Sequence, residues 1–244
     1  MPDRAALVTG ASSGIGLAIA HLLGERGYGL TVAARRPEKL ENAAQELREK
    51  GYEVEAIPGN MADEDAIVDI VARHKERCGR LDVLVNNAGV GIGAAAGDHQ
   101  TKKIDMQLDV NLRSYVIATR EALPMLKETG GEHGKALIVN TSSIAGKQGQ
   151  GWLSVYSATK AGVIGLSEAT QKEVGDDGIQ VTSLCPGFVD TPMTDWVEDQ
   201  VPRDEMIRPE DIAEAVRFLL RTSKACIVPE IVFQRPAEQA SVSA

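Results

Sequence analysis

The sequence predicts an α/β protein, a doubly wound three-layer sandwich whose sheet has seven mostly parallel strands. Three observations carry this expectation. Short β-rich runs alternate with longer segments of helical period along nearly the whole chain. Such alternation implies a parallel sheet with helices on both faces. No internal repeat or low-complexity linker divides the 244 residues, so one domain over 1–244 is expected.

The elements follow in order. "AALVTG" at 5–10 reads as a buried strand, and "GIGLAIAHLLGERG" at 14–27 as a helix ending near Gly27. "GLTVAA" at 29–34 is the second strand. In the helix that follows, Leu40, Ala43, Ala44 and Leu47 recur at i, i+3, i+4 and i+7 before Gly51. The pattern repeats through "EVEAIP", "EDAIVDIVARHKERCG" and "LDVLVNNAG". "KALIVNTSS", "IQVTSLCPG" and "CIVPEIVF" supply the remaining strands. Right-handed crossovers would bring every strand's carboxyl end to one edge of the sheet, where ligands bind in such folds. The polar tail at 234–244 reads as a detachable end, either flexible or packed on a partner subunit.

Bulk properties exclude some functions. A net charge of −9 disfavours a general binder of nucleic acid or anionic membrane. No run reaches the roughly 18 apolar residues of a membrane-spanning helix, and the first residues lack the pattern of a secretory leader. Cys78, Cys185 and Cys226 are too scattered for a disulfide framework or a metal site, and His21, His74, His99 and His133 have no ligand spacing. A cytoplasmic protein without metal is expected.

The first chemical motif is "TGASSGIG", Thr9 to Gly16. Gly10, Gly14 and Gly16 permit a tight turn and close approach of a phosphate, and the helix that follows offers unpaired N–H groups and a positive dipole end. Ser12, Ser13 and Ile15 complete the turn. After the second strand comes "VAARRPEK", with Ala34 where a ribose-binding carboxylate would stand and Arg35 and Arg36 next. Guanidinium groups bind phosphate oxygens in a bidentate manner. That favours NADP(H), with NAD(H) as the alternative.

Six motifs together, "TGASSGIG", "NNAG" at 86–89, Asn111 in "DVNLRS", Ser143 in "NTSSIAG", "YSATK" at 156–160 and "PGFVDT" at 186–191, resemble the compact short-chain dehydrogenases/reductases, in that family's order. The resemblance covers nearly the whole chain and implies a Rossmann-type dinucleotide fold. It further implies a catalytic set of Asn111, Ser143, Tyr156 and Lys160. Asn87, Ala88 and Gly89 would lie beside the cofactor, as would Pro186, Gly187, Val189 and Thr191. Lys160 would also bind the nicotinamide ribose, and Asn111 would order a water near Lys160. Ser143, 13 residues before Tyr156, is chosen over Ser142.

Physical chemistry supports the Tyr–Lys pair independently. Residues at i and i+4 share a helix face at about 5–6 Å between Cβ atoms, and of the four tyrosines only Tyr156 has Lys at that spacing. An ammonium there is expected to lower the phenol pKa from about 10, allowing Tyr156 to exchange a proton with a substrate oxygen. Ser143 would hold that oxygen.

Two departures from the family pattern stand out. Asn60 occupies a position where relatives usually carry Asp, so Asn60 and Met61 are kept as adenine-side candidates. A terminal "DGG"-type segment is absent, and the ending resembles the branch acting on small hydroxy acids, aldehydes or ketones. The segment between "PGFVDT" and "RPEDIAEAV" includes Met193, Trp196, Val197 and Met206, which could cap an apolar substrate or equally belong to a mobile amphipathic surface segment.

The resemblance thus implies an oxidoreductase reducing a ketone or aldehyde, assembled as a homodimer or homotetramer. Two alternatives remain, an epimerase or dehydratase using nicotinamide transiently and a non-enzymatic NADP(H) sensor. The short chain disfavours the first, and the intact catalytic set the second.

Overall fold

The computed structural model describes residues 1–236. Seven strands form one sheet, β1 (Ala5–Thr9), β2 (Gly29–Ala34), β3 (Val54–Pro58), β4 (Val83–Asn86), β5 (Ala136–Thr141), β6 (Ile179–Pro186) and β7 (Glu230–Phe233). Their spatial order is β3-β2-β1-β4-β5-β6-β7 and every pairing is parallel. The order reverses between β1 and β4, so the switch point of the sheet lies where Thr9 and Asn86 end their strands.

Eight α-helices surround it among the described residues, α1 (Gly14–Glu25), α2 (Pro37–Glu49), α3 (Glu64–Cys78), α4 (Thr101–Leu108), α5 (Ser114–His133), α6 (Ile144–Lys147), α7 (Ser154–Val174) and α8 (Pro209–Arg221). Alternate strand residues serve opposite faces. Ala6 and Val8 of β1 join a core with α1, α2 and α8, whereas Leu7 joins one with α3 and α5. Both faces are dry, which explains why the strands read as continuous apolar runs rather than alternating ones.

Local chemistry sets the helix limits. Asp63 caps α3 by accepting from the Asp65 amide at 3.1 Å, and Gly79 ends it with φ +67°. Gly27 and Gly51 take left-handed φ after α1 and α2, where the glycine stops are expected. Among the described residues no helix is long and apolar enough to cross a membrane. Cys78 and Cys185 are buried free thiols and Cys226 is exposed.

The start of the tail is ordered against the body. Arg235 is 9% exposed and its guanidinium lies 5.6 Å from the Phe188 ring centre. Residues 237–244 of the expected flexible end lie outside the described residues.

Candidate active site

The carboxyl edge of the sheet collects nearly all the candidate residues. At the end of β1, Gly10 adopts φ +68° and a Cβ there would sit 2.8 Å from the Ala88 Cα. A Cβ on Gly16 would lie 2.5 Å from Asn87 Nδ2 and from the Gly10 carbonyl oxygen. Gly14, at φ +55°, faces the Thr191 methyl group, which a Cβ would approach to 2.7 Å. Three glycines thus let the turn 10–16 nest against the ends of β4 and β6.

Helix α1 begins without a side-chain cap, although Ser13 occupies the capping position, and its first turn has no acidic residue. Its leading N–H groups and dipole end are therefore available to an anion. Arg35 and Arg36, between β2 and α2, are exposed and make no ion pair among the described residues. A phosphate-bearing dinucleotide fits both features.

Asn87 knits the turn to the sheet. Its Nδ2 donates to the Thr9 and Gly10 carbonyls at 3.1 and 3.3 Å, and its Oδ1 accepts from Thr141 Oγ1 at 3.1 Å. The Asn87 and Ala88 amides both donate to Thr9 Oγ1. Asn60 is exposed and its side chain accepts from the Ala62 amide at 3.3 Å, while Met61 is buried.

Asn111 lies in a π-helical turn, Asp109–Arg113, between α4 and α5. One extra residue in a helical turn is costly and concentrates at functional sites. Here the turn directs the Asn111 amide at the loop after β4. Its Oδ1 accepts from the Val90 amide at 2.8 Å, and its Nδ2 donates to the Val90 carbonyl at 2.9 Å and to Thr159 Oγ1 at 3.1 Å. Asn111 is fully buried.

Tyr156 and Lys160 follow on α7. The Lys160 ammonium, 3% exposed, donates to the Thr141 carbonyl at 2.8 Å and lies 5.7 Å from the centres of the Tyr115 and Tyr156 rings. The Thr141 carbonyl is its one hydrogen-bond acceptor among the described residues, so two of its three N–H groups are unspent. A buried ammonium with two free donors beside Gly89 matches a ribose diol. Burial lowers its pKa to about 8.

The Tyr156 phenol lies beside the Ser143 hydroxyl. Burial raises the phenol pKa, and the neighbouring Ser143 hydroxyl opposes the rise. The sequence expectation of a net lowering does not hold in this structure, because desolvation of the phenolate is the largest influence on Tyr156. Ser143 also caps α6 through the Ala145 amide at 3.1 Å and donates to the Pro186 carbonyl at 3.4 Å. Ser142 is turned the other way, donating to the Lys160 carbonyl at 2.7 Å.

Several participants were not foreseen. Thr141, whose carbonyl also accepts from the Tyr115 hydroxyl at 3.2 Å, anchors the lysine. Thr9 organises the 87–88 turn, and Thr159 links Asn111 to α7 through the Tyr156 carbonyl at 2.7 Å. The TGAS and YSATK motifs contain Thr9 and Thr159, and side-chain counting along them was the available signal.

Beyond β6, Gly187 donates to the Phe233 carbonyl and Val189 bridges to Ile207. The segment 190–206 then folds into two short 3-10 turns, Asp195–Val197 and Arg203–Glu205. Of the expected capping residues, Val197 and Met206 turn inward to pack with Val201 and Phe188, while Met193 and Trp196 stay exposed.

Comparison with known proteins gives a consistent result. A family model described as short chain dehydrogenase matches residues 4–202. A putative ketoacyl reductase of Streptomyces coelicolor is 37% identical, over 93% of this chain and 94% of its own. The crystal structure of a single-substitution variant of actinorhodin polyketide ketoreductase with NADPH is 35% identical, with TM-score 0.85 and 94% of each chain covered. An alcohol dehydrogenase from the archaeon Thermococcus sibiricus, complexed with 5-hydroxy-NADP, is 31% identical at TM-score 0.85, over 96% of this chain and 98% of its own.

Proposed function

Because the chain belongs to the short-chain dehydrogenase family and is an oxidoreductase, we propose that it uses NADP(H) to reduce a ketone or aldehyde to the alcohol, and to oxidise the alcohol in reverse. The observation that carries this reading is the buried Lys160 ammonium, one helical turn from Tyr156 and 5.7 Å from its ring centre, with Ser143 beside the phenol. The NADPH and 5-hydroxy-NADP complexes of two similar proteins support the cofactor.

Gly10 to Gly16 would hold the pyrophosphate at the head of α1, and Arg35 and Arg36 a 2′-phosphate. Lys160 would bind the ribose hydroxyls through its unspent donors. Bound nicotinamide supplies the hydride. Ser143 then orients the substrate oxygen, and Tyr156 delivers its proton to that oxygen as negative charge develops there. The raised phenol pKa keeps Tyr156 protonated near neutral pH, the form that reduction consumes. The ammonium stabilises the phenolate left behind. Asn111 holds the loop after β4 against α7, fixing the lysine's surroundings.

A cytoplasmic location and assembly as a homodimer or homotetramer belong to the same reading. The test is binding followed by turnover. NADPH should bind more tightly than NADH by calorimetry, and the near-ultraviolet absorbance of NADPH should fall with members of a broad panel of ketones and aldehydes. Equal binding of the two nucleotides would remove the NADP(H) assignment, and a panel without a substrate would remove the reductase assignment.

A further inference from the structure

The chain has two tryptophans, and they meet at the mouth of the site. The Trp152 and Trp196 ring centres are 5.5 Å apart at an interplanar angle of 54°, and Phe188 lies edge-on to Trp196 at 6.4 Å. Both indoles stay open to solvent, at 55% and 53% exposure. Tryptophan is usually well covered, so a paired and half-open arrangement is a poor use of two large apolar rings unless something else covers them.

Their position connects them to the proton donor. Trp152 lies across Gly93, where a Cβ would meet its ring at 2.3 Å, and its carbonyl accepts from the Ala94 amide at 2.8 Å. Two residues earlier in the same loop, a Cβ on Gly91 would be 3.9 Å from the Tyr156 ring and 4.0 Å from the Met193 sulfur. The loop 91–94 therefore runs from Tyr156 to Trp152. Trp152 is also the one non-glycine among the described residues with left-handed φ, +66°. Such a backbone persists only where surrounding contacts over-determine it.

The segment that carries Trp196 is predominantly acidic. Segment 190–206 carries Asp190, Asp195, Glu198, Asp199, Asp204 and Glu205 against the single cation Arg203. Arg203 is spent on Asp190, Asp195 and Glu198. These pairs hold the turn that bears Trp196, and Glu205 lies 3.8 Å from Arg235, so Asp199 and Asp204 are the carboxylates left to repel an anionic substrate.

Resting on the reductase reading, we propose that Trp152 and Trp196 form an aromatic port that selects uncharged carbonyl compounds bearing a fused aromatic ring system. The ring system stacks in the port while the carbonyl reaches Tyr156 past Gly91 and Met193. Offset or edge contacts to two indoles favour a rigid planar group over a flexible chain of similar apolar area.

Tryptophan emission of the whole protein reports on these two residues alone. With NADP+ bound, 2-acetylnaphthalene should quench it saturably, with 2-octanone and 6-acetyl-2-naphthoate binding at least tenfold more weakly. In steady state with NADPH, Trp152→Ala/Trp196→Ala should lower the ratio of kcat/KM for 2-acetylnaphthalene over 2-octanone by tenfold or more, chiefly through KM. Trp152→Phe/Trp196→Phe should restore most of that ratio, which a merely misfolded variant would not do. Equal affinity for the three ketones, or an unchanged ratio in the alanine variant, overturns the port. Ketone reduction that ignores both tryptophans overturns the port and leaves the reductase reading intact. Selective quenching without turnover of any ketone keeps the port and removes the reductase reading.

Discussion

The Lys160 ammonium lies 5.7 Å from the centre of the Tyr156 ring, and burial moves the two groups' proton affinities in opposite directions, the lysine down and the tyrosine up. Each is thereby held nearer its uncharged form than in water.

A pH dependence follows. The folded pKa of Lys160 is about 8, below its ordinary 10.5. The cation is fully present well below pH 8 and is lost as pH rises through that value. With the ribose donor and the phenolate's partner weakened together, kcat/KM for NADPH, which reports the free enzyme, should decline above about pH 8. A profile flat to pH 10 would contradict this.

Tyr156→Phe keeps the ring against Gly91 and removes one oxygen. Turnover should fall by about 10²- to 10⁴-fold, the usual contribution of a positioned acid. Ser143 retains its bond to Ala145, so the local fold should persist. Calorimetric NADPH affinity should stay within about twofold, and substantial residual turnover would remove Tyr156 as proton donor.

Arg35→Asp places a carboxylate after β2, where a 2′-phosphate is expected. The preference for NADPH over NADH should drop by at least about tenfold, equivalent to about 1.4 kcal/mol. Arg35 is exposed, so thermal stability should change little, and a simple pair of dissociation constants decides the matter.

Gly16→Ala tests the cradle. Its Cβ would press on Asn87 Nδ2 and the Gly10 carbonyl at 2.5 Å, distances that real side chains do not tolerate. Overpacking of this kind costs about 1–3 kcal/mol. Lower denaturant midpoints and weaker NADPH binding should appear together in equilibrium titrations.

His74 should make the fold acid-sensitive. It is fully buried, with Nδ1 2.7 Å from Thr31 Oγ1 and Nε2 3.0 Å from the Arg80 carbonyl, and desolvation lowers its pKa to about 4. The unfolded chain, with pKa near 6.5, binds the proton first. Stability is therefore complete above about pH 6.5 and falls as pH drops toward 4, by an amount on the order of 3 kcal/mol. His74→Gln should flatten the urea midpoint across that window.

The parts of the molecule legible in the sequence were those with a repeated or side-chain signature. The strands announced themselves because residues such as Leu7 and Val8 are buried on opposite faces of one strand. Asn111, Ser143, Tyr156 and Lys160 were legible as side chains in recognised motifs, and they gather at one edge. The Thr141 carbonyl was not, because a main-chain acceptor carries no signature of its own. Met193 and Trp196 could not be told from Val197 and Met206, since 3-10 turns of three residues are too short to show a period. The rise of the Tyr156 pKa is not legible in the spacing, which reveals a nearby charge and hides the burial that raises the phenol.

The clasp between Asn111 and Val90 limits what can stand at position 111. The site asks for one acceptor and two donors at the end of a short, flat side chain, inside a dry interior. Aspartate offers no donor and would set an anion against the Val90 carbonyl; glutamine carries the right atoms about one bond too far; serine and threonine stop short of both partners. Each substitute strands a main-chain group of Val90 away from water. The hydrogen-bonding demands of the fold alone therefore favour asparagine at this position over each of these substitutes.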